Sequence, residues 1–269
     1  MRQLLKNRDL VVLAALLMAG TVGYFTLESN SGHVGGVAEL DGYYYYIYLR
    51  SVQVDGDLDF ANEYEQWGNP FEFGETPTGA ARNVFGVGPA ILWAPFFLLT
   101  HLVVWIATLL GEPLSLDGMS RAHQVGTFYG SLVFAWLAIV LCYLVARRAV
   151  GREVALWAAL GAGLAGPLPG YSFTWASFSH AHAAAAASLM VLLWLRWRGA
   201  WTPRRWILFG ASAGLLLLVR PACVALLAVP AAAGVAHLLP PLRGRRWGEL
   251  LRSAVRGPLP GALAALVVF

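Results

Sequence analysis

VFGVGPAILWAPFFLLTHLVVWIATLL, residues 84–110, is the stretch on which the fold turns. It is apolar for long enough to cross a bilayer, since roughly 20 helical residues span the hydrocarbon layer. Its first half is interrupted by Gly86, Gly88, Pro89 and Pro95, which suits a segment that enters the outer leaflet and returns. The choice between crossing and returning sets the polarity of everything that follows.

Other apolar runs lie at Leu10–Phe25, Val125–Ala146, Val154–Leu168, Ala181–Leu195, Trp206–Val219, Pro221–Leu239 and from Pro258 onward. If every run crossed in turn from a cytoplasmic N-terminus, three arginine clusters would face outward: Arg147/Arg148/Arg152, Arg196/Arg198/Arg204/Arg205 and Arg243/Arg245/Arg246/Arg252/Arg256. That breaks the positive-inside rule three times. Keeping residues 84–110 on the outer side makes each cluster cytoplasmic. It also exports Gly170–His182 and the segment Glu28–Arg82, which holds ten of the fifteen acidic residues and two basic ones. The expectation is an all-α polytopic protein of the plasma (inner) membrane with a cytoplasmic N-terminus. Residues 1–27 supply the first transmembrane helix, and 28–123 a non-cytoplasmic loop with interfacial and re-entrant helices. Residues 124–269 form a transmembrane bundle whose last run stops at about half a span, as in a piece of a longer chain.

Composition agrees with a lipid environment. Hydrophobic residues make up 58% of the chain and charged ones 13%, too apolar a balance for a soluble globule. The basic excess is arginine with one lysine, placed between apolar runs, so it reports topology and argues against nucleic acid as a partner. MRQLLKNR before Leu10–Phe25 reads as an uncleaved signal anchor. Arg220-Pro221 divides the long stretch from Trp206 to Leu239 into two short helices joined on the outer side. Cys142 and Cys223 lie toward opposite faces of the bilayer in this topology, so they are packing residues and not a disulfide.

The exported segment opens with AELDGYYYYIYLRSVQVDGDLDF, where Tyr44, Tyr45 and Tyr48 follow Asp41 at helical spacing. An aromatic helix of this kind sits in the headgroup region, with Arg50 at its end. Asp41 is either its N-cap or a general base at the membrane surface. Asp55, Asp57 and Asp59 begin like a calcium loop, but Phe60 stands where Gly is needed and Gln66 where Glu is needed; a looser divalent metal site or a solvated acidic turn remains. His180 and His182 precede an apolar helix; two residues apart on a helix their rings diverge, so joint metal ligation needs one of them in the preceding turn. Hydrogen bonding to a sugar or phosphate, or helix capping, are the other roles. His101, His123 and His237 read as isolated structural residues. Arg220 sits inside an extended apolar stretch, where an ionisable group is expensive; it either clamps an anion or snorkels.

In the order of these parts the chain resembles the N-terminal half of the GT-C glycosyltransferases that use polyprenyl-phosphate sugars, such as aminoarabinose transferases and protein O-mannosyltransferases. The carriers are Asp41 with its aromatic helix and Gly56, GVGPAILWAPF (86–96), YLVARRAVGREVALWAAL (143–160), FSHAHAAAAA (178–187) and LLVRPACVALLAVP (217–230). The resemblance implies a GT-C-like helix bundle and transfer of a sugar from a polyprenyl-phosphate donor to an envelope lipid, glycan or protein acceptor. It makes Asp41 the base and Arg220 the donor-phosphate contact, with Tyr44, Tyr45, Arg50, His180 and His182 around the substrate. Two places depart from the family: Gly86-Val87-Gly88-Pro89 replaces an acidic-Lys-Pro-Pro element, and His180 and His182 replace an Asp. The rival classes are a transporter or lipid flippase, and a non-catalytic subunit of an envelope assembly.

Overall fold

The computed structural model describes residues 7–31, 38–232, 234, 235 and 247–269. Among them every regular element is helical, apart from one isolated bridge between Glu75 and Ala81. The all-α class expected from the apolar runs is therefore met. Three helices are long and apolar enough to cross a membrane: Arg8–Glu28, Gly88–Leu109 and Arg121–Ala146. His237, Arg243, Arg245 and Arg246 lie outside the described residues.

The chain divides into two compact units, residues 1–137 with 162–182, and residues 138–161 with 183–269. In the first, helices α1 (Asn7–Ser31), α4 (Gly88–Leu109) and α5 (Arg121–Ala146) lie side by side. Between α1 and α4 come α2 (Asp41–Arg50), continued by a π-helical turn over Ser51–Asp55, and α3 (Ala61–Trp67). Cross-links fix the helix directions. Glu28 pairs with Arg121 at 2.5 Å, the Tyr24 hydroxyl donates to Val125 O at 2.9 Å, and Trp136 Nε1 donates to Leu13 O at 2.8 Å. Hence α1 and α5 are antiparallel, and the C-terminal end of α1 shares a side with the N-terminal end of α5. Trp93 Nε1 donates to Ser131 Oγ at 3.0 Å and His101 Nδ1 meets His123 Nε2 at 3.1 Å, so α4 also runs antiparallel to α5.

Residues 84–110 do not turn back on themselves. Gly88–Leu109 is one helix of 22 residues, roughly 33 Å long, and this corrects the re-entrant shape expected from its glycines and prolines. Gly86 precedes the helix, and Pro89 falls in its first turn, where the missing N–H has no intrahelical partner to lose. Pro95 alone is interior. His101 and His123, read as isolated, are hydrogen-bonded to each other across α4 and α5, and Ser120 Oγ lies 2.7 Å from His123 Nδ1.

The second unit holds α6 (Arg152–Leu164), most of α8 (His180–Trp197), α9 (Pro203–Val219), α10 (Trp247–Arg256) and α11 (Pro258–Val268); the short helix α7 (Gly170–Phe173) belongs to the first. With 13 residues, α6 is roughly 20 Å long, short of the span its apolar run suggested. Thr202 caps α9 by accepting from Arg205 N, and Pro203 opens it. The helix ends at Arg220, whose backbone is extended, and a 3-10 helix follows over Pro221–Leu227, as the Arg220-Pro221 pair predicts. Helices α9 and α11 are parallel and touch backbone to backbone. A Cβ at Gly210 would fall 1.9 Å from Gly261 O, which only glycine permits.

Candidate functional site

Asp41 is the first residue of α2 and is half-buried. It does not cap the helix. The cap position is Leu40, at φ 47°, with no side-chain bond to the free N–H groups. A carboxylate in the first turn is favoured by the positive end of the helix dipole. Among the described residues no hydrogen bond or ion pair engages that carboxylate. The chain enters α2 through Ala38, whose N–H donates to Gln124 Oε1 at 2.6 Å. Gly42 then packs against Ser177, with the hydroxyl and carbonyl oxygens within contact distance of where its Cβ would be. The turn before α8 is thereby held beside the start of α2, and Ser179 Oγ donates to the buried Tyr45 hydroxyl at 3.5 Å.

The tyrosines of α2 are not a solvent-facing belt. Tyr43, Tyr44, Tyr45 and Tyr46 are buried, and their hydroxyls tie α2 to separate loops. Tyr43 donates to Glu63 O at 3.0 Å, Tyr46 to Gly118 O at 2.5 Å and Tyr48 to Phe85 O at 2.9 Å. Tyr44 donates to Asn69 Oδ1 at 2.7 Å while its ring stacks on Phe71 and Phe85, so it acts as scaffold for the neighbouring turn. Burial raises the Tyr43 phenol above its ordinary range, and the adjacent Glu63 adds to the shift.

Arg50 closes α2 as the hub of a buried ion network. Its Nη1 donates to Asp55 and, at 2.9 Å, to Glu63 Oε1; Nε donates to Asp117 O at 3.3 Å. The guanidinium also lies over Trp67, 4.9 Å from the ring centroid. Glu63 is fully buried, and desolvation raises its carboxyl above the ordinary value against the opposing pull of Arg50. Arg50 thereby ties the end of α2 to the loop below it, while Glu63 Oε2 is buried with no hydrogen-bond partner in the structure.

The three aspartates after α2 take separate partners. Asp55 accepts from Arg50 and from Asn62 at 2.8 Å. Asp57 Oδ1 accepts from Ser51 Oγ at 3.0 Å and Asp59 N at 3.1 Å, and Asp59 Oδ1 accepts from Ala61 N and Ala81 N. No group of three or more His, Cys, Asp or Glu residues placed to hold a metal ion occurs among the described residues. Asp57 and Asp59 are turn caps here, and Asp55 is a partner in the Arg50 ion network.

His180 and His182 diverge, as their spacing requires. His180 stacks on Tyr171 with centroids 3.8 Å apart. His182 is fully buried, edge-on to Trp93 at 4.9 Å and against Phe134 at 4.6 Å, and neither of its ring nitrogens has a hydrogen-bond partner in the structure. An unpaired imidazole in such a place is costly, and a polar ligand or a water is the usual remedy. Arg220 belongs to the second unit, half-buried at the end of α9, with its N–H on Leu216 O at 2.9 Å.

Sequence reasoning missed Ser177, Ser179 and Gln124, which pack against or bond to residues 38–45, and Glu63, which pairs with Arg50 at the far end of α2. Ser177, Ser179 and Gln124 stand out only as polar residues beside apolar runs, and Glu63 is one acid among several in a polar stretch. No family model, curated protein or solved structure matches the chain.

Proposed function

We propose that the protein is a membrane glycosyltransferase, moving a sugar from a polyprenyl-phosphate donor to an envelope acceptor on the non-cytoplasmic side. The observation that carries this reading is the half-buried Asp41 carboxylate at the head of α2, set against the Ser177–Ser179 turn and backed by tyrosine-anchored walls. A carboxylate so placed can take the proton of an acceptor hydroxyl. The acceptor oxygen then attacks the anomeric carbon, the bond from that carbon to the phosphate oxygen breaks, and the polyprenyl phosphate departs with the electron pair. The departing phosphate calls for a cationic partner that stabilises its developing charge, the role that the family resemblance gives to Arg220.

Helix directions support the outward placement of Asp41. Since α1 and α4 both run antiparallel to α5, they run parallel to each other. Two consecutive spans of like direction would need the chain between them to recross, and among residues 38–87 no helix is long and apolar enough for that. This favours α4 as a helix that does not complete a crossing in sequence with α1, which keeps α2 and the start of α5 in one compartment. With it we propose a multi-pass arrangement in the inner membrane with a cytoplasmic N-terminus, the side on which the arginine clusters would lie.

The test is a comparison of envelope glycans, lipids and polyprenyl-linked sugars in cells with and without the full-length protein. Transfer predicts a polyprenyl-linked sugar that accumulates, on the outer leaflet, when the protein is absent. Unchanged pools refute it. Accumulation on the inner leaflet would favour the rival transporter or flippase reading, to which the helix break after Val219 gives some support.

A further inference from the structure

A second feature lies wholly in the other unit and does not depend on the transfer reaction. Helices α9 and α11, with residues 227–231, Gly234 and Val235, enclose a cleft of about 330 Å³ lined by Phe209, Ala213, Leu227, Pro230, Ala262 and Ala265 among others. It is apolar throughout, and Trp206 and Pro258 stand at the end where both helices begin. Arg204 and Arg205 precede Trp206, with Arg205 Nη1 donating to Ala200 O, and Arg256 precedes Pro258 by two residues, so three arginines stand next in the chain to the residues at that end of the cleft. The same end collects more arginine. Arg148 Nη1 donates to Leu195 O at 3.3 Å, which brings the Arg147–Arg148 turn to the Arg196–Arg205 connection. Arg147 Nε is buried with no hydrogen-bond acceptor in the structure. Against these arginines the unit contains two acidic residues, Glu153 and Glu249.

Helix α10 supplies an independent sign of what meets this end. Leu251 and Val255, four apart on one face, are 66% and 49% exposed, while Arg252 and Arg256 occupy the neighbouring face. A short helix with exposed leucine and valine beside arginine suits a lipid interface, with its apolar face toward acyl chains. Trp201 stacks on Trp206 at 4.1 Å, and tryptophan is a residue that prefers the headgroup boundary.

We infer that this end of the second unit binds an anionic phospholipid of the bilayer, with an acyl chain in the α9–α11 cleft and the phosphate among Arg204, Arg205 and Arg256. The apolar cleft accounts for a chain, and the uncompensated arginines for an anionic head.

The test titrates the full-length protein in detergent with dioleoyl phosphatidylglycerol, dioleoyl phosphatidylcholine and soluble glycerol phosphate, reading retained lipid by native mass spectrometry and the shift in melting temperature. Phosphatidylglycerol should bind at least about tenfold tighter than phosphatidylcholine, and R204Q/R205Q should remove about tenfold of that affinity. Ala262→Phe, which fills the cleft and leaves the charges, should weaken lipid retention as well. Equal retention of the two lipids would overturn the inference, as would glycerol phosphate binding as well as the whole lipid. If the arginine variants fail to fold, salt serves instead. Wild-type retention of phosphatidylglycerol should fall between low and high salt, and salt-insensitive retention overturns the assignment.

Discussion

A methyl group on Gly42 would lie 2.3 Å from Ser177 Oγ and 2.8 Å from Ser177 O, so these two residues close the space between α2 and the turn before α8 with no slack. Asp41 is the next residue along, and its position depends on that contact. Gly42→Ala should destabilise the protein by about 1–3 kcal/mol, the usual scale of overpacking. Ser177→Gly in the same chain should recover part of the loss. Thermal unfolding of the single and double variants in detergent measures both.

Arg50 and Glu63 form a buried pair, and removing one member leaves the other uncompensated. Arg50→Met should therefore cost about 3–5 kcal/mol, whereas Arg50→Met with Glu63→Leu should come closer to the wild type. If the double variant is no better than the single one, the pair is not the source of the loss. Unfolding midpoints of the double-mutant cycle decide this.

The same carboxyl gives a pH signature. Burial raises Glu63 above its ordinary value of 4.5, with Arg50 opposing the shift, so the folded protein binds this proton more tightly than the unfolded chain. In the window between 4.5 and the raised value, stability from this group falls as pH rises and grows as pH falls. Glu63→Gln should remove that slope. Melting temperatures of wild type and variant, compared from neutral pH down to pH about 5, should diverge in favour of the wild type on acidification.

His182 separates stability from function. Its two ring nitrogens are buried and unpaired between Trp93 and Phe134. His182→Phe should leave stability unchanged or raise it by about 1–3 kcal/mol, because a buried polar group without partners is removed. Under the proposed function, transfer should fall about tenfold or more, the scale of one hydrogen bond to a ligand. A variant that is less stable yet fully active would refute both halves.

Much of the fold is written in the apolar periodicity. The helices of 121–146, 180–197 and 203–219 and the break at Arg220-Pro221 follow from hydropathy, caps and proline alone. The shape of 84–110 did not, because Pro89 and Pro95 weigh the same in sequence, while Pro89 falls in a first turn that tolerates it and the helix continues through Pro95. Asp41 was legible as the acidic residue before an aromatic helix. Its surroundings were not. Ser177 and Ser179 are more than 130 positions from Gly42 and Tyr45, and the burial that joins Arg50 to Glu63 or His101 to His123 exists only after the chain has folded.

In the proposed transfer Asp41 is the base, and replacing its carboxylate by an amide of equal size tests that role most directly. Sugar transfer by Asp41→Asn should fall by about a hundredfold or more, with the melting temperature unchanged and the polyprenyl-linked donor accumulating in cells. Wild-type transfer by a folded Asp41→Asn protein would contradict the account.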